Sequence, residues 1–437
     1  MTRTVRALMG ATALCTAATF AVAQDKTTLT IATVNNGDMI RMQGLTDDFT
    51  AKNPDIDLEW VTLEENVLRQ RVTTDIATNG GQYDVMTIGT YEVPIWGKQG
   101  WLTSLNDLPA EWDRGDLLPA IAGGLTVDGE LYAAPFYGES SMVMYRKDLI
   151  EKAGLEMPDA PTWDFIREAA MKMTDKANEV YGICLRGKAG WGENMAFLTA
   201  MNNSFGGKWF DENWTAQFDQ AAWKDTLTFY VEMMNESGPP GASNNGFNEN
   251  LALFQQGKCG MWIDATVAAS FVTGADSTVA DKVGFALAPD KGLGKRGNWL
   301  WAWSLAIPAS TDSADAAKKF VAWATSKEYT ALVAANEGWA NVPPGTRTSL
   351  YENAEYAKVP FAKMTLESIN SADPNNPTVD PVPYTGVQFV AIPEFQGMAT
   401  AVGQQFSAAL AGTTSIDDAL ANAQELTASE MRDAGYN

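Results

Sequence analysis

Between residues 29 and 89 the hydrophobic pattern changes period in a regular order. Leu29–Val34 (LTIATV) reads as a buried strand, followed by the turn Asn35-Asn36-Gly37-Asp38. Met42, Leu45 and Phe49 then recur at helical spacing, until Asn53-Pro54-Asp55 stops the pattern. Ile56–Val61 is a second strand, Leu68, Val72 and Ile76 mark a second helix ended by Gly80-Gly81, and Tyr83–Gly89 is a third strand. Strand, helix, strand, helix, strand predicts a parallel sheet with helices on its faces. Ligands of such sheets sit at the carboxyl ends of the strands, here the turns 35–38 and 89–92.

After Tyr132–Ile150 (YAAPFYGESSMVMYRKDLI) the pattern restarts. Ile166, Ala169, Ala170 and Met173 mark a helix, Tyr181–Gly187 a strand, and Leu227, Tyr230, Val231 and Met234 a helix stopped by Gly238-Pro239-Pro240-Gly241. Phe247–Gly257 feeds the strand Cys259–Ala265, and Val283–Pro289 precedes Asn298–Pro308 (NWLWAWSLAIP). In that last stretch Trp299, Trp301 and Trp303 alternate, which sends all three to one face of a strand. They are either core packing or a stacking platform at a cleft. A proline-heavy loop follows at 371–383, and Ser415 with Asp418 opens the last helix.

The N-terminus reads as a secretory signal peptide, residues 1–23: Arg3 and Arg6, a short apolar run, then Ala21-Val22-Ala23. Its removal leaves 437 − 23 = 414 residues, enough for two domains, and moves the net charge from −23 to −25 as Arg3 and Arg6 leave. So acidic a chain repels phosphate backbones and anionic lipid, which argues against nucleic acid as a partner. There is no histidine. That excludes Ser-His-Asp and Cys-His catalysis and histidine zinc sites, and leaves carboxylate chemistry or none. Export to an oxidising compartment makes a Cys184–Cys259 disulfide admissible; two separate buried thiols are equally compatible with the residues.

The order of these features resembles the solute-binding proteins of ABC sugar importers, the family that includes the maltose-binding protein. Tyr83–Leu102 is similar to its strand and "a-x-x-G-x-L" helix end, Tyr132–Gly154 to its interlobe crossing, Phe254–Ala265 to its "F-x-x-G-x-x-A-M" signature, and Trp301–Thr311 to its "G-W-x-L-A-I" strand. Thr33–Met39, Gly89–Leu102 and Asn298–Pro308 resemble most closely the sorbitol/mannitol-binding members. Trp301 and Ala302 depart from the two small glycines common before the strand's tryptophan, so a disaccharide site does not transfer simply.

The resemblance implies an α/β clamshell of two lobes, each a mainly parallel sheet flanked by helices. The first holds residues 25–137 and 306–352, the second 138–305 and 353–437, with the ligand between them. It also implies a periplasmic monomer that captures a polyol of the sorbitol, mannitol or arabitol type and delivers it to inner-membrane permease subunits. No cofactor, metal or catalytic residue is called for. Alternatives are a mono- or disaccharide ligand, or a secreted glycoside hydrolase using Glu139 and Asp264. The hydrolase is disfavoured because no eightfold strand–helix repeat is present.

Polyhydroxy ligands need acceptors and fork-shaped donors for hydroxyls, and aromatic surface for C–H faces. Asn36 and Asp38 in the first turn and Tyr91 after the third strand are candidates, although a turn alone explains Asn and Asp. Arg186 can bridge two adjacent hydroxyls or pair with surface acids. Asp264, ending a strand at a carboxyl edge, either binds ligand or caps a helix. Asn298 offers an amide. By the resemblance, Glu139 is the interlobe acid and Trp303 the stacking tryptophan, with Trp299 and Trp301 beside it, and Trp191, Arg347 and Phe395 fall at ligand positions.

Overall fold

In the computed structural model, which describes residues 26–436, the expected strand–helix order is present; the leader expected at 1–23 lies outside the described residues. The strands are β1 (Thr27–Val34), β2 (Ile56–Leu63), β3 (Val85–Ile88), β4 (Thr126–Val127), β5 (Glu130–Leu131), β6 (Ala133–Glu139), β7 (Ser141–Arg146), β8 (Tyr181–Cys184), β9 (Cys259–Ala265), β10 (Val283–Leu287) and β11 (Trp301–Ala306). They form a five-stranded sheet ordered β2-β1-β3-β11-β6, a four-stranded sheet ordered β10-β7-β9-β8, and the small hairpin β4-β5. The helix expected through Met42, Leu45 and Phe49 is two, Gly37–Gly44 and Thr46–Lys52, broken at Leu45.

Both sheets are mixed rather than mainly parallel. In the first, β1 runs parallel to β2 and β3, but β11 is antiparallel to β3 and β6. In the second, β8 and β9 are parallel, while β7 is antiparallel to β9 and β10. The cause is connectivity. β1 and β3 run toward the other lobe, whereas β11 arrives from it and must run the opposite way.

The tryptophan strand joins the sheet of the first strands. Trp301–Leu305 pair in the first sheet, not in the second unit, and β6 carries the first sheet on to Glu139. The chain crosses at Ser140 and again around Asn298–Leu300. These crossings are tied side by side. Ser140 Oγ donates to the Trp299 carbonyl at 2.6 Å, and Asn298 Nδ2 donates to Ser140 Oγ at 3.2 Å and to the Ser368 carbonyl at 3.1 Å.

The first lobe's core packs Phe49 edge-on against Phe320 at 5.4 Å and beside Trp323 at 5.5 Å. The helices Phe395–Leu410 and Ile416–Asp433 pack on each other and on Asn194–Ser204 and Ala221–Ser237 of the second lobe. Cys184, at the end of β8, and Cys259, at the start of β9, form a disulfide with Cα atoms 5.9 Å apart. That decides between the two states the residues left open.

Candidate ligand-binding cleft

Where the two sheets face each other across the crossings lies a cleft holding about 600 Å³ of empty space, its open mouth included. Its first-lobe wall is made by strand ends. Asn36 follows β1, Glu64 and Glu65 follow β2, and Tyr137, Glu139 and Trp303 come from β6 and β11. A second hollow continues it past Glu65, Glu139, Arg186 and Trp303 to Trp191, Trp299 and Trp301.

The alternation of the tryptophans is what assembles this wall. In the antiparallel pair, Trp301 stands opposite Glu139 and Trp303 opposite Tyr137, so indoles and polar groups share one face. Trp299 precedes the strand and meets Arg186, whose guanidinium carbon lies 5.8 Å from its ring centre. The Trp301 ring needs a glycine beneath it: a Cβ on Gly89 would lie 1.9 Å from the indole. Trp301 and Trp303 meet edge-on at 5.4 Å, and Trp191 of the second lobe meets Trp301 at 5.6 Å.

Two arginines organise the charges. Arg69, on the helix Glu65–Ala77, gives Nη2 to Glu65 and Nη1 to Glu92, both at 2.8 Å, and lies 4.0, 4.9 and 4.7 Å from the rings of Trp191, Trp301 and Trp303. Arg186 binds Asp264 through Nε at 2.9 Å and Nη2 at 2.7 Å, and gives Nη1 to the Gly192 carbonyl at 2.9 Å and to Glu193 at 3.3 Å. Glu65 is 3.9 Å from Arg186, so a first-lobe acid reaches a second-lobe cation. Beside it Glu64 pairs with Lys188, and Asn66 Nδ2 donates to the Ala189 carbonyl at 3.3 Å. A Cβ on Gly192 would fall 2.2 Å from Glu65, so only glycine lets the 186–193 loop come this close.

Glu139 is different. It is 6 % exposed, and among the described residues no hydrogen bond or ion pair reaches its carboxylate. Burial pushes its pKa well above the ordinary 4.5, and the charges of Asp264, Glu65 and Asp38 add to this against the pull of Arg186. Two buried indole N–H groups in the same wall, those of Trp191 and Trp301, also lack partners among the described residues. The cleft thus offers an unmatched acceptor between aromatic faces, which suits a neutral ligand rich in hydroxyls.

Among the expected site residues, Asn36, Glu139, Arg186, Trp191, Trp299, Trp301 and Trp303 line this cleft. The others sit elsewhere. Asp38 is buried in the first lobe against Arg41, which also holds Glu337. The Tyr91 hydroxyl donates to the Ile392 carbonyl at 3.0 Å and accepts from the Gln396 N–H at 3.2 Å. Asp264 lies one layer behind the cleft, under Arg186. Asn298 ties the crossings. Arg347 gives its N–H groups to the carbonyls of Asp113 at 2.9 Å and Thr325 at 3.0 Å inside the first lobe. Phe395 packs behind Trp191, at 6.0 Å. Sequence reasoning missed Glu64, Glu65, Arg69, Tyr137, Lys188, Glu193 and Gln388. Glu64 and Glu65 carried a usable signal, since they follow β2 just as Asn36 follows β1.

The buried acids imply a pH dependence. Burial raises Glu193 from 4.5 to about 7 and Asp38 from 3.8 to about 6. In the window between those values the folded chain binds more protons than the unfolded one, so their contribution is present at low pH and fades as pH rises through 6 and 7. The ligand-free protein should therefore unfold at a lower urea concentration at about pH 8 than at about pH 5. Glu193→Gln should flatten that slope. Stability that instead rises from pH 5 to 8 would contradict the assignment.

Comparison with known proteins gives a consistent picture. The model of the family described as bacterial extracellular solute-binding protein matches residues 36–331. The chain is 58% identical over 416 residues to the mannitol-binding protein of Pseudomonas aeruginosa, covering 95% of each. It matches the crystal structure of an ABC transporter solute-binding protein from Agrobacterium vitis with bound D-mannitol at TM-score 0.93 and 75% identity, covering 93% of this chain and 99% of that one. A solute-binding protein from Agrobacterium radiobacter in complex with ribitol matches at TM-score 0.82 and 25% identity, over 93% and 99%.

Proposed function

Starting from the fact that this chain belongs to the bacterial extracellular solute-binding protein family, we propose that it captures an acyclic polyol, D-mannitol first, between its lobes and delivers it to the membrane permease of an ABC importer. The observation that carries this reading is Glu139, buried in a tryptophan-walled cleft without a protein hydrogen-bond partner. A carboxylate accepts hydroxyl hydrogen bonds strongly, and the indole faces cover a polyol's C–H groups. The relatives with mannitol and ribitol support the ligand class. The same relatives are binding proteins, which speaks against the hydrolase alternative. In this reading the leader at 1–23 exports the chain to the periplasm, the first lobe runs to Glu139 and resumes at Trp301, and the protein works as a monomer.

The energetics are undemanding. A micromolar ligand needs about 8 kcal/mol, and a hexitol has about twelve heavy atoms, so roughly 0.7 kcal/mol per atom suffices. Titration calorimetry of the mature chain with D-mannitol, sorbitol, D-arabitol and maltose tests the reading. D-mannitol should bind at about micromolar affinity or tighter. Silence from every polyol at millimolar concentration would refute it.

Glu139→Gln and Trp303→Ala should each weaken polyol binding at least about tenfold, or about 1.4 kcal/mol. Gln is a poorer acceptor, and Ala removes the stacking face. Glu139→Gln should unfold near the wild-type urea midpoint, whereas Trp303→Ala, whose buried indole also packs on Trp301 and Arg69, should unfold at a lower urea concentration while still folding in its absence. Normal binding by Glu139→Gln alongside an unfolded Trp303→Ala would move the site elsewhere.

A further inference from the structure

We propose that the cleft also takes cationic amino-polyols, acyclic polyols with a protonated primary amine at one end, by an ion pair to Glu139, and that it rejects the matching polyol acids. This rests on the polyol reading above and adds a ligand class to it.

The basis is a mismatch of charges in the cleft. Each cation there already has an anionic partner: Arg186 has Asp264 and Glu193, Arg69 has Glu65 and Glu92, and Lys188 has Glu64. Glu139 is the buried lining acid with no cation within ion-pair distance among the described residues; Glu249, the other lining acid without a salt bridge, is exposed to solvent and accepts from the Gly246 N–H. A buried carboxylate without a counter-charge is costly, and a neutral polyol eases that cost only through hydroxyl hydrogen bonds. An ammonium supplies both the hydrogen bonds and the charge. A hexitol's two ends are chemically alike, so an amine at one end can be turned toward Glu139 without losing the pattern of hydroxyls. The same mismatch disfavours anions. Arg186 spends Nε and Nη1 and one Nη2 hydrogen on protein acceptors, so a ligand carboxylate would meet Glu139 and Glu65 without a free guanidinium fork to receive it.

Calorimetry of the wild-type mature chain at about pH 7.5 with D-mannitol, 1-amino-1-deoxy-D-mannitol and D-mannonate makes the test. The amine should bind within about tenfold of D-mannitol or tighter, and D-mannonate at least about a hundredfold more weakly than D-mannitol, about 2.8 kcal/mol. An amine more than about tenfold weaker than D-mannitol, or an acid less than a hundredfold weaker, overturns the inference and leaves the polyol reading standing. Binding of the amine without any D-mannitol binding would keep this inference and sink the neutral-polyol reading. Glu139→Gln adds an internal check. It should cost the amine about tenfold more affinity than it costs D-mannitol; equal losses would show that the amine is not paired with Glu139.

Discussion

Replacing Asp264 with alanine is expected to destabilise the protein by about 3 kcal/mol or more, the low end of the range for breaking a buried ion pair from one side. Asp264 is fully buried and binds Arg186 at two points; it also accepts from the Trp262 indole N–H at 3.0 Å. Burial works against the Arg186 charge, and the carboxylates of Asp264, Glu193 and Glu65 outweigh it, so its pKa stands well above the ordinary arginine value. Without Asp264 the guanidinium stays charged and keeps only Glu193, Glu65 and the Gly192 carbonyl. Asp264→Asn is little better, because an amide sets its own N–H group against those of Arg186. Urea unfolding of both variants measures the loss. Polyol affinity should fall as well, because Arg186 loses the anchor that fixes it at the cleft wall. If Asp264→Ala unfolds within about 1 kcal/mol of wild type, the buried pair does not hold this lobe together.

The second large effect concerns the disulfide. Cys184 and Cys259 are 75 residues apart in sequence, and closing a loop of that length restricts the unfolded chain by about 4 kcal/mol in the chain-entropy account. Reduction, or the double variant Cys184→Ala and Cys259→Ala, should therefore lower unfolding stability by up to about that amount. The bond ties the parallel neighbours β8 and β9, which also carry Arg186 and Asp264 at or just past their ends. Ligand affinity should change much less than stability, because the folded arrangement of those strands is kept by their hydrogen bonds. Thiol titration of the denatured, unreduced protein should find close to none. A result near two thiols per chain would show that the bond is not formed in the exported protein.

Periodicity is local, so the kind of fold is legible in the chain alone. Leu29–Val34, Leu68–Ile76 and Cys259–Ala265 announce strand or helix through the spacing of apolar residues a few positions apart. The same local logic placed Asn36 and Arg186 beyond strand ends, and the alternating tryptophans put Glu139's neighbours on one face once β6 and β11 are paired. Resemblance, not spacing, supplied Glu139 itself and the ligand class. The rest depends on pairs distant in the chain. That Asp264 serves Arg186, that Asp38 faces Arg41, that Tyr91 is spent on the Ile392 carbonyl, and that Arg347 is buried far from the cleft are all partnerships across gaps that carry no periodic signal. Strand direction belongs to this group too. β11 reads as a strand from its own residues, but its antiparallel place between β3 and β6 follows from where the chain re-enters the first lobe. An ionisable side chain at a strand end looks the same in sequence whether it meets ligand or a buried counter-charge. The difference is set by burial and by the nearest opposite charge, and both are properties of the folded chain.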